Sequence, residues 1–370
     1  MKFVCRGLDL SEAISKVTKA LPAKAVENPL LSCIKVDAYE DVLTLFATDG
    51  ELAIMKKINA EIIEEGSTAI PGAFLTEFVR RLSDEQMEFT LSDKNTMQIK
   101  YTDSEVVVQC FESREYPTFR ELMNPKKITI LQKDLKELVF GTAFCVSADS
   151  SQGSLRGCKL EVDGNRISSV ALDGFRLMKM SKELTGGDGA FNAVVPGKSL
   201  SEVAKVIEDD DNKAEISFEN EYVLFDFGHT RILARTLGSE FINYEQIIPR
   251  EFGTEIVVNR EMLLKSLDRI AILGRSDVKT SMVKITAQDN TMVLKGNSKL
   301  GNITENLSVS FSGKDLRIAF NVKYLMEFLG NVKDEFVKMK FSSSIAPCLI
   351  TPTTEDSDYF YLVLPVRITE

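Results

Sequence analysis

His229 is the one histidine in the chain. It stands in Phe227-Gly228-His229-Thr230, a stretch that predicts a turn. Acid–base or zinc chemistry built on histidine needs partners at fixed spacing, and there is no H-E-x-x-H pattern. Pro196-Gly197-Lys198-Ser199 resembles the end of a phosphate-cradling P-loop, but that pattern needs glycine at position 192, where Asn192 stands. A helix start is the better reading of those four residues. Asp49 and Asp173 each precede a glycine in related segments, so their carboxylates are expected to cap turns and not to act in catalysis. The cysteines Cys5, Cys33, Cys110, Cys145, Cys158 and Cys348 show no C-x-x-C spacing. With neighbours such as Phe144 and Val146 they are expected to be buried, reduced thiols. No G-x-S-x-G or EF-hand pattern appears. No catalytic residue, metal site or cofactor is therefore expected. A nucleotide or sugar-phosphate enzyme built from repeated domains would need a constellation unique to one copy, and none is found.

The elements that would position any site come in three copies. Ile70-Pro71-Gly72-Ala73-Phe74-Leu75-Thr76-Glu77 is related to Val195-Pro196-Gly197-Lys198-Ser199-Leu200-Ser201-Glu202, about 125 residues later. A further such step reaches Phe320-Asn321-Val322-Lys323-Tyr324-Leu325-Met326-Glu327. Ala47-Thr48-Asp49-Gly50 recurs as Ala171-Leu172-Asp173-Gly174, and Glu115-Tyr116 as Glu240-Phe241. The breaks Asn124-Pro125-Lys126-Lys127 and Pro249-Arg250-Glu251-Phe252-Gly253 divide the chain into domains 1–124, 125–250 and 251–370.

Each copy is expected to carry two helices on a curved antiparallel sheet, an α+β fold. Leu10, Ala13, Ile14, Val17 and Leu21 form one helical stripe, and Phe74, Leu75, Phe78, Val79 and Leu82 another. First helices are expected near Leu8, Leu131 and Val258. Leu43, Leu45 and Ala47 alternate along a strand ending at Asp49-Gly50, and Val106-Val107-Val108 is another strand. Gly186-Gly187-Asp188-Gly189 is expected to close a hairpin. Three such units in line make an arc that a twofold partner would close. Twelve helices around the hole, at 8–10 Å spacing, give a diameter on the order of 35 Å, ample for a DNA duplex.

The 370 residues carry a net charge of −10, which argues against nucleic-acid binding unless the cations are segregated. The expected helices carry Lys16, Lys19, Arg80, Arg81, Lys133, Lys136, Lys198, Lys205, Arg269, Lys323 and Lys333, while Lys24 and Arg275 follow helix ends. Acidic residues such as Glu61, Glu64, Glu65 and the run Glu208-Asp209-Asp210-Asp211 fall elsewhere. Any one of these lysines reads equally as a solvated helix face. As a set they predict a basic lining inside an acidic exterior. The composition, 44% hydrophobic and 27% charged, predicts a soluble globular protein with no membrane partner. With no leader-like N-terminus, the cytoplasm is the default compartment.

The three copies, the two Asp-Gly strand ends, the Ala171–Met178 segment and the tail Tyr361-Leu362-Val363-Leu364-Pro365-Val366-Arg367 together resemble the bacterial DNA sliding clamps, the beta subunits of DNA polymerase III. The resemblance covers the whole chain. It implies a non-enzymatic homodimer, a head-to-tail ring of DNA-clamp domains that encircles double-stranded DNA without reading its sequence. It further implies that the ring tethers a replicative polymerase subunit, the clamp loader and other clamp-motif proteins. Carried over by position, the partner-peptide pocket would use Gln152, Leu155, Leu172, Gly174, Phe175, Arg176, Leu177, Ile242, Gln246, Ile247, Leu362, Val363, Leu364, Pro365, Val366 and Arg367. Core packing is the competing reading for its aliphatic members, above all Leu177 and Ile247. Gln152 and Gln246 stand where arginine is common, Leu172 replaces threonine, Phe175 histidine and Ile242 proline, which implies a greasier, less cationic pocket. In the lining, Ala73 replaces a basic residue. The ring seam would set Val106 and Val108 of one subunit against Ile272 and Leu273 of the other. A peptide-binding scaffold with no DNA role is the alternative; it requires no basic channel.

Overall fold

A computed structural model describes the chain except residues 25–26, 82–83, 188, 208–210, 275–281, 355–357 and 368–370, with the side chains of Ser150 and Gln152 also outside it. Of the expected site residues, Arg275 and the Gln152 side chain therefore lie outside the described residues, as do Leu82 and Glu208-Asp209-Asp210. Six helices are described: α1 Gly7–Val17, α2 Gly72–Val79, α3 Gln132–Ala143, α4 Gly197–Val206, α5 Arg260–Gly274 and α6 Val322–Asn331. They fall two to each repeat. The helices expected to begin near Leu131 and Val258 start at Gln132 and Arg260, directly after the strands Lys126–Leu131 and Thr254–Asn259. In α1 the stripe Leu10, Ala13, Ile14 and Val17 is buried, and Leu21 lies beyond the helix. In α2, Leu75 and Val79 are buried, while the half-buried Phe74 and Phe78 rings stack at 5.5 Å.

The chain forms two compact units that cut across the repeats: residues 1–133, 185–189 and 202–236, and residues 134–184, 190–201 and 237–370. The strand pairing gives the reason. In the first unit a five-stranded antiparallel sheet runs Glu61–Glu64, Lys2–Arg6, Gln86–Leu91, Thr96–Tyr101, Ser104–Gln109. A nine-stranded sheet contains five strands of the middle copy and four of the first. Its joint is the pairing of Thr230–Arg235 with Leu52–Asn59, for example Ile232 opposite Ile54. The second unit repeats this arrangement. Its nine-stranded sheet joins Arg176–Glu183 of the middle copy to Tyr359–Val363 of the last, with Leu177 opposite Leu362. A four-stranded sheet, Gly301–Ser308, Thr291–Ser298, Met282–Gln288, Leu316–Asn321, completes it. Each copy thus supplies its strands as a group of five and a group of four, where the repeat pattern predicted a single curved sheet. The middle copy is shared because each of its groups gains a partner edge by backbone pairing.

The Gly186-Gly187 stretch does not close a hairpin. Gly186 and Gly187 pair with Thr129 and Ile128 as a two-residue edge strand. A side chain at Gly187 would sit 2.5 Å from the Lys127 carbonyl, which is why glycine is needed there. His229 lies in the expected turn, after Gly228 at φ +81°. All six cysteines are free and buried. Among the described residues no helix is long and apolar enough to cross a membrane.

Candidate partner-binding groove and channel helices

The two Asp-Gly turns have one geometry. Asp49 Oδ1 accepts hydrogen bonds from the Glu51 and Leu52 amides at 3.0 and 2.8 Å, and Gly50 sits at φ +91°. Asp173 Oδ1 accepts from the Phe175 and Arg176 amides at 2.9 and 3.1 Å, with Gly174 at φ +89°. An L side chain is disfavoured at such a φ, so glycine fixes the turn. The turn role expected of both aspartates is the one they have.

The middle copy adds Arg176 to this turn. Its Nε donates to Asp173 Oδ2 at 2.9 Å, its Nη2 to the Phe144 carbonyl at 2.9 Å, and its Nη1 to Glu327 of α6. The guanidinium lies 4.4 Å from the Tyr324 ring centroid and 5.5 Å from that of Phe144. Burial disfavours this charge, yet hydrogen bonds to Glu327 and Asp173 help hold its pKa above the ordinary value. Burial also pushes the nearby Cys145 thiol and Tyr361 phenol well up, so both stay neutral. Arg176 is therefore a strap joining the turn, α6 and the end of α3.

Beside the strap, Leu172, Leu177, Leu362 and Leu349 stand opposite one another across four adjacent strands. They belong to one apolar cluster with Phe241 and Tyr244, and Leu155 and Ile248 pack against it. The fold thus brings Leu155, Leu172, Leu177 and Leu362 together. Val363 is buried too, but alternation along its strand sends it to the opposite face, with Tyr361. Phe175 is 59% exposed, and Ile242, Gln246 and Ile247 are exposed nearby in sequence to buried Phe241 and Tyr244.

The tail leaves its strand and is tied twice: the Leu364 amide donates to the Phe175 carbonyl at 2.9 Å and the Val366 amide to the Ala319 carbonyl at 2.8 Å. Leu364, Pro365, Val366 and Arg367 then line a groove of about 700 Å³ together with Arg317, Ser344 and Ile345. The sequence pattern missed those last three, and also Tyr324, whose ring stacks on Phe175 at 6.3 Å. The lone isoleucine after Ser342-Ser343-Ser344 was the available signal, and its side chain proves 83% exposed. A second cavity in this unit, about 660 Å³, is lined by charged and hydroxyl groups such as Glu161, Lys179 and Tyr244 and offers few apolar anchors.

The expected lining cations are exposed or half-exposed where described, and many already face a carboxylate. Lys16 pairs with Glu12 at 2.9 Å, Arg80 and Arg81 with Glu77 at 3.3 and 2.8 Å, Lys205 with Glu202 at 2.9 Å, and Lys323 with Glu327 at 3.7 Å. The glutamate that recurs in the three repeats is thus the helix's own counter-charge. Lys133 meets Asp211 and Arg269 meets Glu305, both at 2.5 Å. Lys136 and Lys198 lie on α3 and α4. Four placements need correction: Lys19 sits in a 3₁₀ turn after α1, Arg80 and Arg81 follow Val79, the last residue of α2, and Lys333 lies beyond the end of α6, while Lys24 follows a helix end as expected.

Models of the N-terminal, central and C-terminal domains of the DNA polymerase III beta subunit match residues 1–120, 129–243 and 245–367 in that order. The chain belongs to the DNA polymerase III beta subunit family. It is 27% identical to the beta sliding clamp of Streptococcus pneumoniae over 96% of both chains, and 26% identical to that of Bacillus subtilis over 99% of this chain and all of that one. The crystal structure of the B. subtilis sliding clamp superposes on all of this chain, and all of its own, with a TM-score of 0.95 at 26% identity. Within the beta subunit family, these relatives favour the sliding-clamp reading over a peptide scaffold with no DNA role.

Proposed function

We propose that two copies of this chain close head to tail into a ring around duplex DNA, with 1–124, 125–250 and 251–370 as the three domains of each copy. The ring itself catalyses nothing. It tethers a replicative polymerase subunit, the clamp loader and other clamp-motif proteins through the groove at the tail. The observation that carries this reading is a joint used twice, whose two halves are each left open once. Thr230–Arg235 pairs with Leu52–Asn59, and Tyr359–Val363 with Arg176–Glu183. The strand equivalent to the first member of each pair is Ser104–Gln109, at the edge of the five-stranded sheet. The strand equivalent to the second is Gly301–Ser308, at the edge of the four-stranded sheet. Joining those two edges between copies would repeat the internal joint and leave neither edge bare. Val106 and Val108 lie on the first edge strand; Ile272 and Leu273 lie on α5, which packs behind the second.

The lining suits a ring that must move. Cations already paired with glutamates gain little by exchanging them for phosphate, so contact with DNA is weak, local and salt-sensitive. Retention then comes from topology. Clamps loaded on nicked circular DNA should persist, while those on linear DNA of the same length run off its ends. Equal lifetimes on both at the same salt would rule out encirclement.

The groove should take a short peptide with apolar and aromatic anchors. Two anchors burying roughly 1.5–3 kcal/mol each, less the cost of ordering the peptide, give micromolar affinity. Deleting Leu364 through Glu370 removes one whole wall. The truncated chain should stay dimeric and lose peptide binding by fluorescence anisotropy. A folded, dimeric truncation with unchanged affinity would show the groove to be misassigned.

A further inference from the structure

The groove has a cationic part that apolar anchors do not use. Arg317 and Arg367 both line it, and no carboxylate is among its described lining residues. Among the described residues neither guanidinium makes a hydrogen bond or an ion pair. Arg6, Arg166, Arg231, Arg235 and Arg269 each have a carboxylate partner, while Arg114 and Arg250 share with the groove pair the lack of a described one, in a chain with ten more negative than positive charges. The fold brings the two arginines together because the Val366–Ala319 hydrogen bond lays the tail beside the strand Leu316–Asn321. Arg317, two residues before Ala319, projects from the exposed end of that strand. Ile345, Leu364 and Val366 line the same groove and give it an apolar wall. A guanidinium fork beside an apolar wall suits a carboxylate, which it can hold by two parallel hydrogen bonds.

We infer that Arg317 and Arg367 select partners in which an aspartate or glutamate side chain directly flanks the apolar anchors. The inference rests on the groove reading above and deepens it. Gln152 and Gln246, standing where arginine is common, implied a less cationic pocket. The groove instead transfers acid recognition to its other cations.

Two fluorescein-labelled peptides, amidated at the C-terminus, carry a Leu-Phe core flanked on both sides by Asp in one and by Asn in the other. Their affinities for the full-length chain are measured by anisotropy. The Asp peptide should bind roughly tenfold tighter, the factor expected of one charge-assisted pair, and the ratio should shrink as salt rises. Arg317→Glu, at an exposed position whose folding is checked by its melting curve, should cancel or invert the ratio. Equal binding of both peptides to the native chain overturns the inference while the groove reading stands; a groove that reads only a terminal carboxylate gives this result. A preference that survives in Arg317→Glu/Arg367→Glu overturns it as well. If neither peptide binds, the groove reading fails and the inference with it.

Discussion

Replacing Ile272 and Leu273 together by glutamate is expected to turn the proposed head-to-tail dimer into monomers across the micromolar range. Ile272 is 52% exposed near the end of α5, and Leu273 beside it is half-buried. An aliphatic pair in that position contributes to the single chain much less than it would to a join with a second copy. Placing carboxylates in such a join desolvates charge without a partner, which costs several kcal/mol. Each 1.4 kcal/mol is a factor of ten in dissociation constant, so a shift of a thousandfold or more follows. Sedimentation velocity reads the outcome directly. Because Leu273 also contacts its own subunit, Ile272→Glu alone serves as the control for folding and should weaken the dimer in the same direction. If both variants sediment as dimers at nanomolar concentration, the seam lies elsewhere. Val106→Glu/Val108→Glu should give the same phenotype from the other side of the join, since a head-to-tail interface uses different patches on the two copies.

The second large effect is expected at Arg176. Its side chain is 7% exposed, with Asp173 at 13% and Glu327 at 32%. Arg176→Met keeps most of the volume between Phe144 and Tyr324 but leaves two carboxylates without their fork. Breaking a buried pair from one side costs about 3–5 kcal/mol. Glu327 is partly solvated and retains Lys323 at 3.7 Å, so about 2–4 kcal/mol is the expected loss. Urea unfolding should show a lower midpoint with an unchanged slope. Arg176→Lys should rescue little, because one ammonium cannot serve Asp173, Glu327 and the Phe144 carbonyl in one plane. Arg176→Met/Glu327→Met should recover part of the loss, since the pair is then removed as a pair. The single variant should also weaken peptide binding, as Tyr324 and Phe175 lose the group that fixes their common wall. A native urea midpoint for Arg176→Met would mean the strap holds nothing.

These two predictions differ in how far the sequence alone could carry them. Residues 272 and 273 were singled out by family resemblance, and the strands behind them were not. The reason two sheet edges should meet is a matter of strand order. The order of hydrogen-bonded neighbours is set by long-range pairing that no local pattern encodes. Arg176 was placed in the pocket by position in the tail-and-turn motif. Its partners Phe144 and Glu327 lie far away in the chain, and only folding brings them within hydrogen-bond reach.

The sequence by itself determined the three copies, two helices in each, the burial of Leu10, Ala13, Ile14 and Val17 on one face, and the two Asp-Gly turns. Each of these follows from short-range physics: helical periodicity, an aspartate that caps its own turn, and glycine at positive φ. It also determined that Leu155, Leu172, Leu177 and Leu362 belong together, through a family pattern and not through spacing. Local patterns failed where a residue's role depends on a distant neighbour. Gly186-Gly187, a turn by composition, became an edge strand because Ile128 and Thr129 offered it backbone partners. As a set the lysines and arginines read as a basic lining; at Lys16, Arg80, Arg81, Lys205 and Lys323 a neighbouring helical turn supplies a carboxylate, and at Lys133 and Arg269 the tertiary structure does. The groove shows the same division. Its Leu364-to-Arg367 wall was legible in the tail, but Arg317 comes from the strand Leu316–Asn321 and Ser344 and Ile345 from a separate loop. They share a surface only because one strand order and two backbone hydrogen bonds bring the tail across them.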